Sequence, residues 1–372
     1  MDPNSQPAAN QQPPLTPQLT PSYSPPPPRK PSSWARVVAI LLALGLFGSL
    51  MINFLLAKLV GMSAGGGEAR VEEKFFSHQK DARDKVAILS IEGVIVGGEG
   101  FFKRQIDHAR KDAKDGRLKA IVLRVNSPGG TVTGSDYMYH HLCKLRDDYK
   151  IPIVVSMGGI AASGGYYVSM AVGDTEKSIF AEPTTWTGSI GVIIPHYDLS
   201  KFLNEHGVKE DSIASGDLKG MGSIARPMRP EERAVFDELV QEAFNGFKEI
   251  IRKGRREFKK DPDALDALAT GRVFTAKQAE ENGLVDKIGF LEDAVDRAIE
   301  LAKLDKDDVC VVQYKPEAGL IDLLLGETAR SRPAFDLAAL LDATAPRAYY
   351  LCTWLPPITG SAKPQRTTAF QD

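Results

Sequence analysis

The sequence has few cysteines and no excess of charge of either sign. Three cysteines occur among 372 residues, Cys143, Cys310 and Cys352, and they lack CxxC spacing, so neither a disulfide framework nor a thiolate zinc site is indicated. Lysine and arginine number 46 against 48 acidic residues, so charge does not favour nucleic acid as a partner. A hydrophobic content of 43% excludes whole-chain disorder. The length fits one globular domain of roughly 200–250 residues with appendages.

The N-terminal region, residues 1–33, has almost nothing apolar to bury. It contains eleven of the 24 prolines, set among Gln, Asn, Ser and Thr. This composition predicts a disordered cytoplasmic tail with polyproline II character. A proline-rich ligand for an aromatic groove is the alternative interpretation.

A run without any charge follows at residues 37–57, VVAILLALGLFGSLMINFLLA. As a helix it would measure about 32 Å, which matches a bilayer core and predicts a transmembrane helix. A cleaved signal peptide, the competing interpretation, would have a shorter apolar stretch nearer the start. Arg29, Lys30 and Arg36 precede the run. The positive-inside rule therefore predicts a single-pass protein of the cytoplasmic (inner) membrane, with its N-terminus cytoplasmic and the rest extracytoplasmic (periplasmic).

Two segments are predicted to flank the folded region. Residues 61–84 are expected to form a linker, and a GxSxG match inside it, centred on Ser63, is rejected because no strand precedes it and no helix follows. Residues 315–372 are expected to form a C-terminal extension whose end is disordered.

The folded region is predicted over residues 85–314, where β-branched apolar runs alternate with helical periodicity. Strands are expected at 85–96, 120–127, 151–157, 177–180, 190–194 and 309–313. Helices are expected at 134–146, 230–258, 275–282 and 291–301. Continuous apolar strands alternating with helices predict an α/β fold with a parallel sheet that is covered on both faces.

Two clusters of small residues follow central strands of this predicted sheet. They are NSPGG at 126–130 and GGIAASGGYY at 158–167. Ligands of open α/β sheets bind at such carboxyl ends of strands, and glycines leave backbone N–H groups accessible to them. Tight strand-to-helix turns are the structural alternative to a catalytic site.

Ser163 lies in the second cluster, where a helix is expected to begin. A capping serine is the ordinary interpretation, but small residues on both sides favour a nucleophile that attacks a peptide carbonyl. The positive end of the helix would favour a developing oxyanion. Its donors are expected to be the N–H groups of Gly129 or Gly130 and of Gly164.

A serine nucleophile needs a base, and the sequence offers two kinds. None of the six histidines falls convincingly beside a strand end or a turn glycine, which weighs against a Ser/His/Asp triad; they are His78, His108, His140, His141, His196 and His206. A lysine kept neutral by burial is the alternative base. Lys219 lies in the glycine-flanked segment SGDLKGMG at 215–222, although the local sequence predicts an exposed lysine.

These motifs resemble the signal peptide peptidase family of Ser/Lys proteases, in its short membrane-anchored form. The resemblance covers residues 85–314 and rests on six motifs in the family's order. They are NSPGG at 126–130, GGIAASGGYYVS at 158–169, TGSIGV at 187–192, SGDLK at 215–219, RPMRPEER at 226–233 and GRVFTAKQAEENGLVDKIG at 271–289. The resemblance implies a ClpP/crotonase-like fold with peripheral helices.

The resemblance also implies a role for each matching residue. Ser163 would be the nucleophile, Lys219 the general base and Ser189 the hydroxyl that orients the lysine. The oxyanion donors expected above agree with the family's pattern. Family members form dome-like homo-oligomeric rings in which the lysine of one subunit is thought to reach the serine of its neighbour. The expected substrates are apolar peptides, especially signal peptides left in the bilayer, and no metal or organic cofactor is required.

Three positions depart from the family's pattern. Gly220 stands where an acid is common, Ala276 where glycine is common and Arg229 where threonine is common. None is expected to touch the dyad, although Gly220 bears on how Lys219 is held.

Other functions stay open at this point. An acyl-CoA enzyme of the same superfamily would need two backbone N–H groups but no serine, and a non-catalytic membrane scaffold would need neither. A ClpP-like triad would place a histidine about 25 residues after the serine, and position 188 is glycine. The membrane anchor and the SGDLK motif favour the peptidase over the acyl-CoA enzyme.

Overall fold

The computed structural model of the protein describes residues 33–64, 70–317 and 349–351. The helices are α1 (Ser33–Ala64), α2 (Gly100–Lys114), α3 (Val132–Tyr149), α4 (Gly164–Ser169), α5 (Ser200–Glu205), α6 (Pro230–Gly254), α7 (Arg256–Lys260), α8 (Pro262–Leu268), α9 (Ala276–Glu281) and α10 (Leu291–Leu301). The strands are β1 (Val71–His78), β2 (Lys85–Glu92), β3 (Leu118–Ser127), β4 (Gly129–Thr131), β5 (Ile153–Ala162), β6 (Ile179–Ala181), β7 (Trp186–Gly188), β8 (Val273–Thr275), β9 (Lys287–Ile288), β10 (Cys310–Pro316) and β11 (Tyr349–Leu351). The chain divides into two compact units, Met1–Met62 and Ser63–Asp372.

The N-terminal helix α1 has 32 residues and includes the predicted charge-free run at 37–57. The prediction of a helix there is confirmed. Among the residues that the structure describes, no helix has both the length and the apolar character needed to cross a membrane. The predicted transmembrane span is therefore not confirmed.

The main sheet of the second unit is built around parallel strands. Its order is β1-β10-β2-β3-β5-β6-β9, and every neighbouring pair is parallel except β1 with β10. Strand β7 pairs with the end of β5 in parallel, and β8 pairs with β7 antiparallel. The predicted α/β fold with a parallel sheet is confirmed, and only the edge strand β1 and the short strand β8 pair antiparallel among the described strands of this sheet.

Both faces of the central strands are buried, as their continuous apolar sequences predict. Along β2, Ala87 and Leu89 pack into the larger core, with residues of α3, α4 and α6. Val86 and Ile88 point to the opposite face and pack into a smaller core under α10. The parallel register brings the carboxyl ends of β3 and β5 together, because Ser127 pairs with Ala161.

Two predicted elements differ from the structure because of individual side chains and backbone bonds. The helix expected at 230–258 breaks at Arg255, whose buried guanidinium donates hydrogen bonds to Gly283 O and Asp286. No strand forms over 190–194, where Ile190 O accepts a single hydrogen bond from Gly271 N.

Strand β1 lies inside residues 61–84, for which the sequence predicts a linker. Its sequence VEEKFFSH carries three charges and lacks the apolar run of a central strand. It pairs with β10 at the edge of the sheet, where polar side chains are tolerated. The sheet therefore extends beyond the predicted domain limits, to Val71 on one side and Pro316 on the other.

Candidate active site

Ser163 occupies the single residue between β5 and α4. Its φ of 53° and ψ of −113° form a backbone conformation that residues other than glycine rarely adopt. Its N–H donates a 2.7 Å hydrogen bond to Gly188 O, and its carbonyl accepts one from Tyr167 N, which together hold this conformation. Such strain at a strand-to-helix turn is typical of a nucleophile elbow.

The Ser163 side chain is 1% exposed, and its Oγ atom has no hydrogen-bond partner within the described chain. A buried hydroxyl without a partner costs about 1–3 kcal/mol. The alternative role of Ser163 as a helix cap is not observed, because Ser163 makes no side-chain hydrogen bond at the start of α4. The Ser163 hydroxyl group is therefore available to donate a hydrogen bond to another group.

The three glycines predicted to form the oxyanion hole lie against one another. A Cβ atom on Gly129, whose φ is 99°, would overlap Tyr350 O and come within 2.7 Å of Gly164 N. A Cβ atom on Gly164 would lie 3.2 Å from Gly130 N. The backbones are therefore too close for any side chain, and the turns at the ends of β3 and β5 meet here.

Two buried serines, whose role the sequence does not reveal, support the backbones of these three glycines. Ser127 Oγ accepts a 3.1 Å hydrogen bond from Gly129 N, and Ser135 Oγ donates a 2.9 Å hydrogen bond to Thr131 O. Ser135 also lies against Gly164, since a Cβ atom there would overlap its Oγ atom. Ser127 could have been found as part of the NSPGG turn, but nothing in the local sequence marks Ser135.

Ser189 is placed close to Ser163 through its neighbour Gly188. It is 6% exposed, has a φ of 52° and donates from its backbone N–H to Arg272 O at 2.7 Å. The structure thus brings Ser163, Ser189 and the three glycines into one region.

In the part of the chain that the structure describes, no hydrogen bond connects Lys219 to this region. It is exposed, as its local sequence predicts, and lies in a turn whose side chains line an open cavity of about 1170 Å³. Because Ser163 Oγ has no hydrogen-bond partner in the described residues, neither Lys219 nor any described histidine forms a hydrogen bond with it.

Strand β11 lies beside the candidate site. It pairs antiparallel with β4, so that Tyr350 is opposite Gly130 and residue 351 is opposite Gly129. Tyr350 is 2% exposed, and its ring stacks on Tyr167 at 5.1 Å and packs on Phe247 at 4.5 Å between centroids. The edge of β4 therefore binds an extended peptide segment, and an aromatic pocket next to it takes a side chain.

The aromatic pocket stays uncharged. Burial raises the pKa of the Tyr167 hydroxyl far above its usual range, and a 2.8 Å hydrogen bond to Asp136 adds to the effect. Burial likewise raises the pKa of Tyr350, whose hydroxyl donates to Ala243 O at 2.9 Å. Apolar and aromatic side chains suit such a pocket better than charged ones.

One group elsewhere offers ligand atoms for a metal ion, formed by Glu73, His108 and Asp112 within 4.8 Å of one another. Lys85 Nζ lies 2.6 Å from Glu73 and 3.4 Å from Asp112. Lys85 pairs with both carboxylates and Arg117 also pairs with Asp112, so the cluster is an ion-pair network that joins β1, β2 and α2.

Comparison with known proteins identifies the family to which the chain belongs. Residues 146–305 match the model of Peptidase family S49. The chain is 38% identical over 240 residues to a protein of Enterococcus faecium named as a signal peptide peptidase SppA, covering 62% of this chain and 67% of that relative. It is 33% identical over 261 residues to a protein of Synechocystis sp. named as a protease, covering 70% and 90%. The chain belongs to peptidase family S49.

A third relative is named serine protease SPPA, chloroplastic, from Arabidopsis thaliana. It is 33% identical over 260 residues, which cover 66% of this chain and 36% of the relative. This S49 chain is accordingly a serine-type peptidase of the SppA type, as the six motifs predict. The match to the family model includes Ser163, Ser189 and Lys219, whereas Gly129 and Gly130 precede it.

Proposed function

We propose that this S49 peptidase is an endopeptidase in which Ser163 is the nucleophile and Lys219 the general base. The observation that carries the proposal is the buried, unpartnered Ser163 hydroxyl in a strained turn, next to three closely packed glycine backbones. An acyl-CoA enzyme of similar fold would have no use for such a strained serine. The peptide edge at β4 further favours a peptidase.

The proposed reaction begins when a neutral Lys219 amine takes the Ser163 proton. The Ser163 oxygen attacks the carbonyl carbon of a peptide bond, and the N–H groups of Gly129 or Gly130 and of Gly164 stabilise the oxyanion. The leaving amine takes a proton from the lysine and departs. Water then hydrolyses the acyl-enzyme and restores both residues.

The dyad is proposed to be shared between subunits of a homo-oligomeric ring. Two observations support this: among the described residues no hydrogen bond joins Lys219 to the Ser163 hydroxyl, and the segment around Lys219 is rich in exposed apolar side chains. These are Ile193, Tyr197, Leu199, Phe202, Val208, Ile213, Leu218 and Ile224. A monomer rarely leaves so many large apolar side chains exposed in one segment, and a second copy would bury them.

The proposed substrates are apolar peptides, such as signal peptides that remain after processing. The Tyr350 ring packs against Tyr167 and Phe247. This aromatic pocket favours a bound peptide with an apolar or aromatic side chain at the same place. The relative from Enterococcus faecium is named for signal peptides.

The proposed location is the extracytoplasmic face of the cytoplasmic membrane, with residues 37–57 as the anchor. Its support is the charge-free run and the basic residues that precede it. Membrane fractionation combined with protease accessibility in intact cells tests this location. Recovery of the full-length chain in the soluble fraction would contradict it.

A mixing assay on a fluorogenic apolar peptide tests the proposed function. We expect activity from the wild type, none from Ser163→Ala or Lys219→Ala alone, and partial recovery when the two inactive variants are co-assembled. Activity that survives in Ser163→Ala would exclude this serine as the nucleophile. Activity in the mixture, with none from either variant alone, would support a dyad shared between subunits.

A further inference from the structure

The segment that carries Lys219 has few internal contacts that fix its position. Residues 206–219 are exposed and belong to no helix or strand. Around Lys219 the backbone forms only short-range turns, with Lys219 N donating to Gly216 O and Met221 N to Leu218 O, both at 3.1 Å. A general base must be held within a fraction of an ångström of its proton donor, so this segment needs an external support.

Two arginines from the following segment supply contacts on both sides of the lysine. Arg229 Nη2 donates a hydrogen bond to the carbonyl oxygen of Asp217, two residues before Lys219. Arg226 Nη2 donates a 2.9 Å hydrogen bond to the carbonyl oxygen of Gly220, the residue that follows it. The backbone is thus held at both ends of a four-residue stretch whose third member is the proposed base.

Both guanidinium groups meet on one buried carboxylate. Glu232 is 0% exposed and accepts five hydrogen bonds, which come from Arg226 and Arg229 alone. Arg226 binds both carboxylate oxygens, at 3.0 and 2.5 Å, and the Arg229 side chain binds one oxygen at 2.7 and 3.0 Å. Bidentate contacts of this kind fix the planes of the guanidinium groups.

The carboxylate is itself fixed by the helix that carries it. Glu232 lies in the first turn of α6, where negative charge is favoured, and one of its five hydrogen bonds, at 3.3 Å, comes from the backbone N–H of Arg229. The Arg226 guanidinium holds the pKa of Glu232 at about 2, well below its usual range. The carboxylate therefore stays ionised over the whole range in which a peptidase would work.

We propose that Glu232, Arg226 and Arg229 form a clamp that positions Lys219 for proton transfer from the nucleophile. The clamp connects the rigid start of α6 to the carbonyl groups of Asp217 and Gly220, and so sets where the lysine side chain begins. This proposal depends on the proposed role of Lys219 as the general base. The three residues are positioning residues, because they act through the backbone on either side of Lys219.

The test compares Arg229→Met with Arg233→Met as a matched control. Both substitutions remove one positive charge near the start of α6, but Arg233 is exposed and makes no side-chain hydrogen bond among the described residues. Arg229→Met should lower kcat about 10- to 100-fold with KM within twofold of wild type, since a displacement of about 1 Å can cost that much. Arg233→Met should leave both constants unchanged.

Two measurements separate positioning from a merely structural role. Hydrogen exchange of the backbone amides at 216–221 should accelerate in Arg229→Met and not in Arg233→Met, while exchange in β3 and β5 stays as in the wild type. Arg229→Lys, which keeps the charge but not the fork of donors, should recover only part of kcat. Glu232→Gln, which keeps the shape of the side chain, should accelerate exchange over the same residues.

The outcomes distinguish the clamp from the proposed function. If Arg229→Met keeps wild-type kcat and wild-type exchange at 216–221, the clamp is excluded even though the peptidase is active. A fall in kcat that only follows a lower melting temperature, with exchange raised throughout the sheet, also overturns it. If the wild type shows no cleavage that depends on Ser163, the proposed function fails, and faster exchange confined to 216–221 would then show a clamp without a catalytic purpose.

Discussion

The backbone N–H of Ser163 donates a 2.7 Å hydrogen bond to the carbonyl oxygen of Gly188, which ties the candidate nucleophile to the end of β7. The same bond continues the pairing of β5 with β7, in which Ala162 is opposite Gly188. The sheet therefore ends at the serine itself. This relationship explains how a residue with a φ of 53° is held in place, and it gives the first prediction.

Ser163→Gly should make the protein more stable although it removes the hydroxyl. Glycine adopts a positive φ without strain, and the unpartnered buried Oγ atom disappears. We expect the free energy of unfolding to rise by about 1 kcal/mol in denaturant titrations. Ser169→Gly is the control and should destabilise, because Ser169 Oγ donates a 2.8 Å hydrogen bond to Gly165 O within α4. A less stable Ser163→Gly would show that the turn is unstrained.

Gly164→Ala should damage both stability and activity. The new methyl group would overlap Ser135 Oγ and press on Gly129 and Gly130, at a cost of about 1–3 kcal/mol. A shift of the oxyanion donors should lower kcat about 100-fold or more. Adding Ser135→Ala removes the overlap and should restore part of the lost stability. Gly246→Ala in α6, where no atom lies within 4 Å of the new Cβ, is the control and should raise the melting temperature.

Local chemistry made part of the site predictable. The small residues around Ser163 follow the apolar run at 151–157, and the chain folds there as a strand that extends to Ala162, a serine and a helix. The parallel sheet follows from the same apolar runs, which place Leu89 and Ile88 on opposite buried faces. These features depend on neighbours in sequence, so sequence patterns carry them.

Contacts between distant segments could not be predicted in the same way. The pairing of β11 with β4 joins residues about 220 positions apart, and nothing in Tyr349–Leu351 indicates that partner. The sequence marks Arg229 as a departure that is not expected to touch the dyad, but it does not indicate that the guanidinium binds Asp217 O, two residues before Lys219. The hydrogen bonds of Arg255 to Gly283 O and Asp286, which lie where α6 ends, are equally non-local.

Tyr350→Ala should improve binding of a peptide added in solution. Strand β11 occupies the edge of β4 that a substrate would need, and the buried Tyr350 ring holds it there. Loss of an aromatic side chain from a buried site removes about 1.5–3 kcal/mol, so KM for a fluorogenic peptide should fall about tenfold or more. Tyr350→Phe should change KM little, and Phe290→Ala, a half-exposed aromatic outside the site, should leave it unchanged. An unchanged KM in Tyr350→Ala would mean that β11 does not compete with substrate.

Glu73 should make the fold sensitive to acid. Its carboxylate accepts from His108 Nε2 at 2.7 Å and from Lys85 Nζ at 2.6 Å, and the His108 hydrogen bond is the main reason that its pKa falls to about 2. Because the folded pKa lies below the unfolded value of 4.5, this stabilisation is fully present above about pH 4.5 and is lost as the pH falls towards 2. It amounts to at most about 3 kcal/mol.

Melting temperatures between pH 7 and pH 2 measure this dependence. Glu73→Gln should melt below the wild type at pH 7, and the difference between the two should shrink as the pH falls from 4.5 to 2. Glu72→Gln removes a more exposed carboxylate from the same strand, 3.8 Å from Lys74, and should follow the wild-type curve closely. Parallel curves for wild type and Glu73→Gln would show that protonation of Glu73 does not destabilise the fold. A convergence confined to the Glu73 variant would place the acid sensitivity in the ion-pair network of β1, β2 and α2, away from the nucleophile.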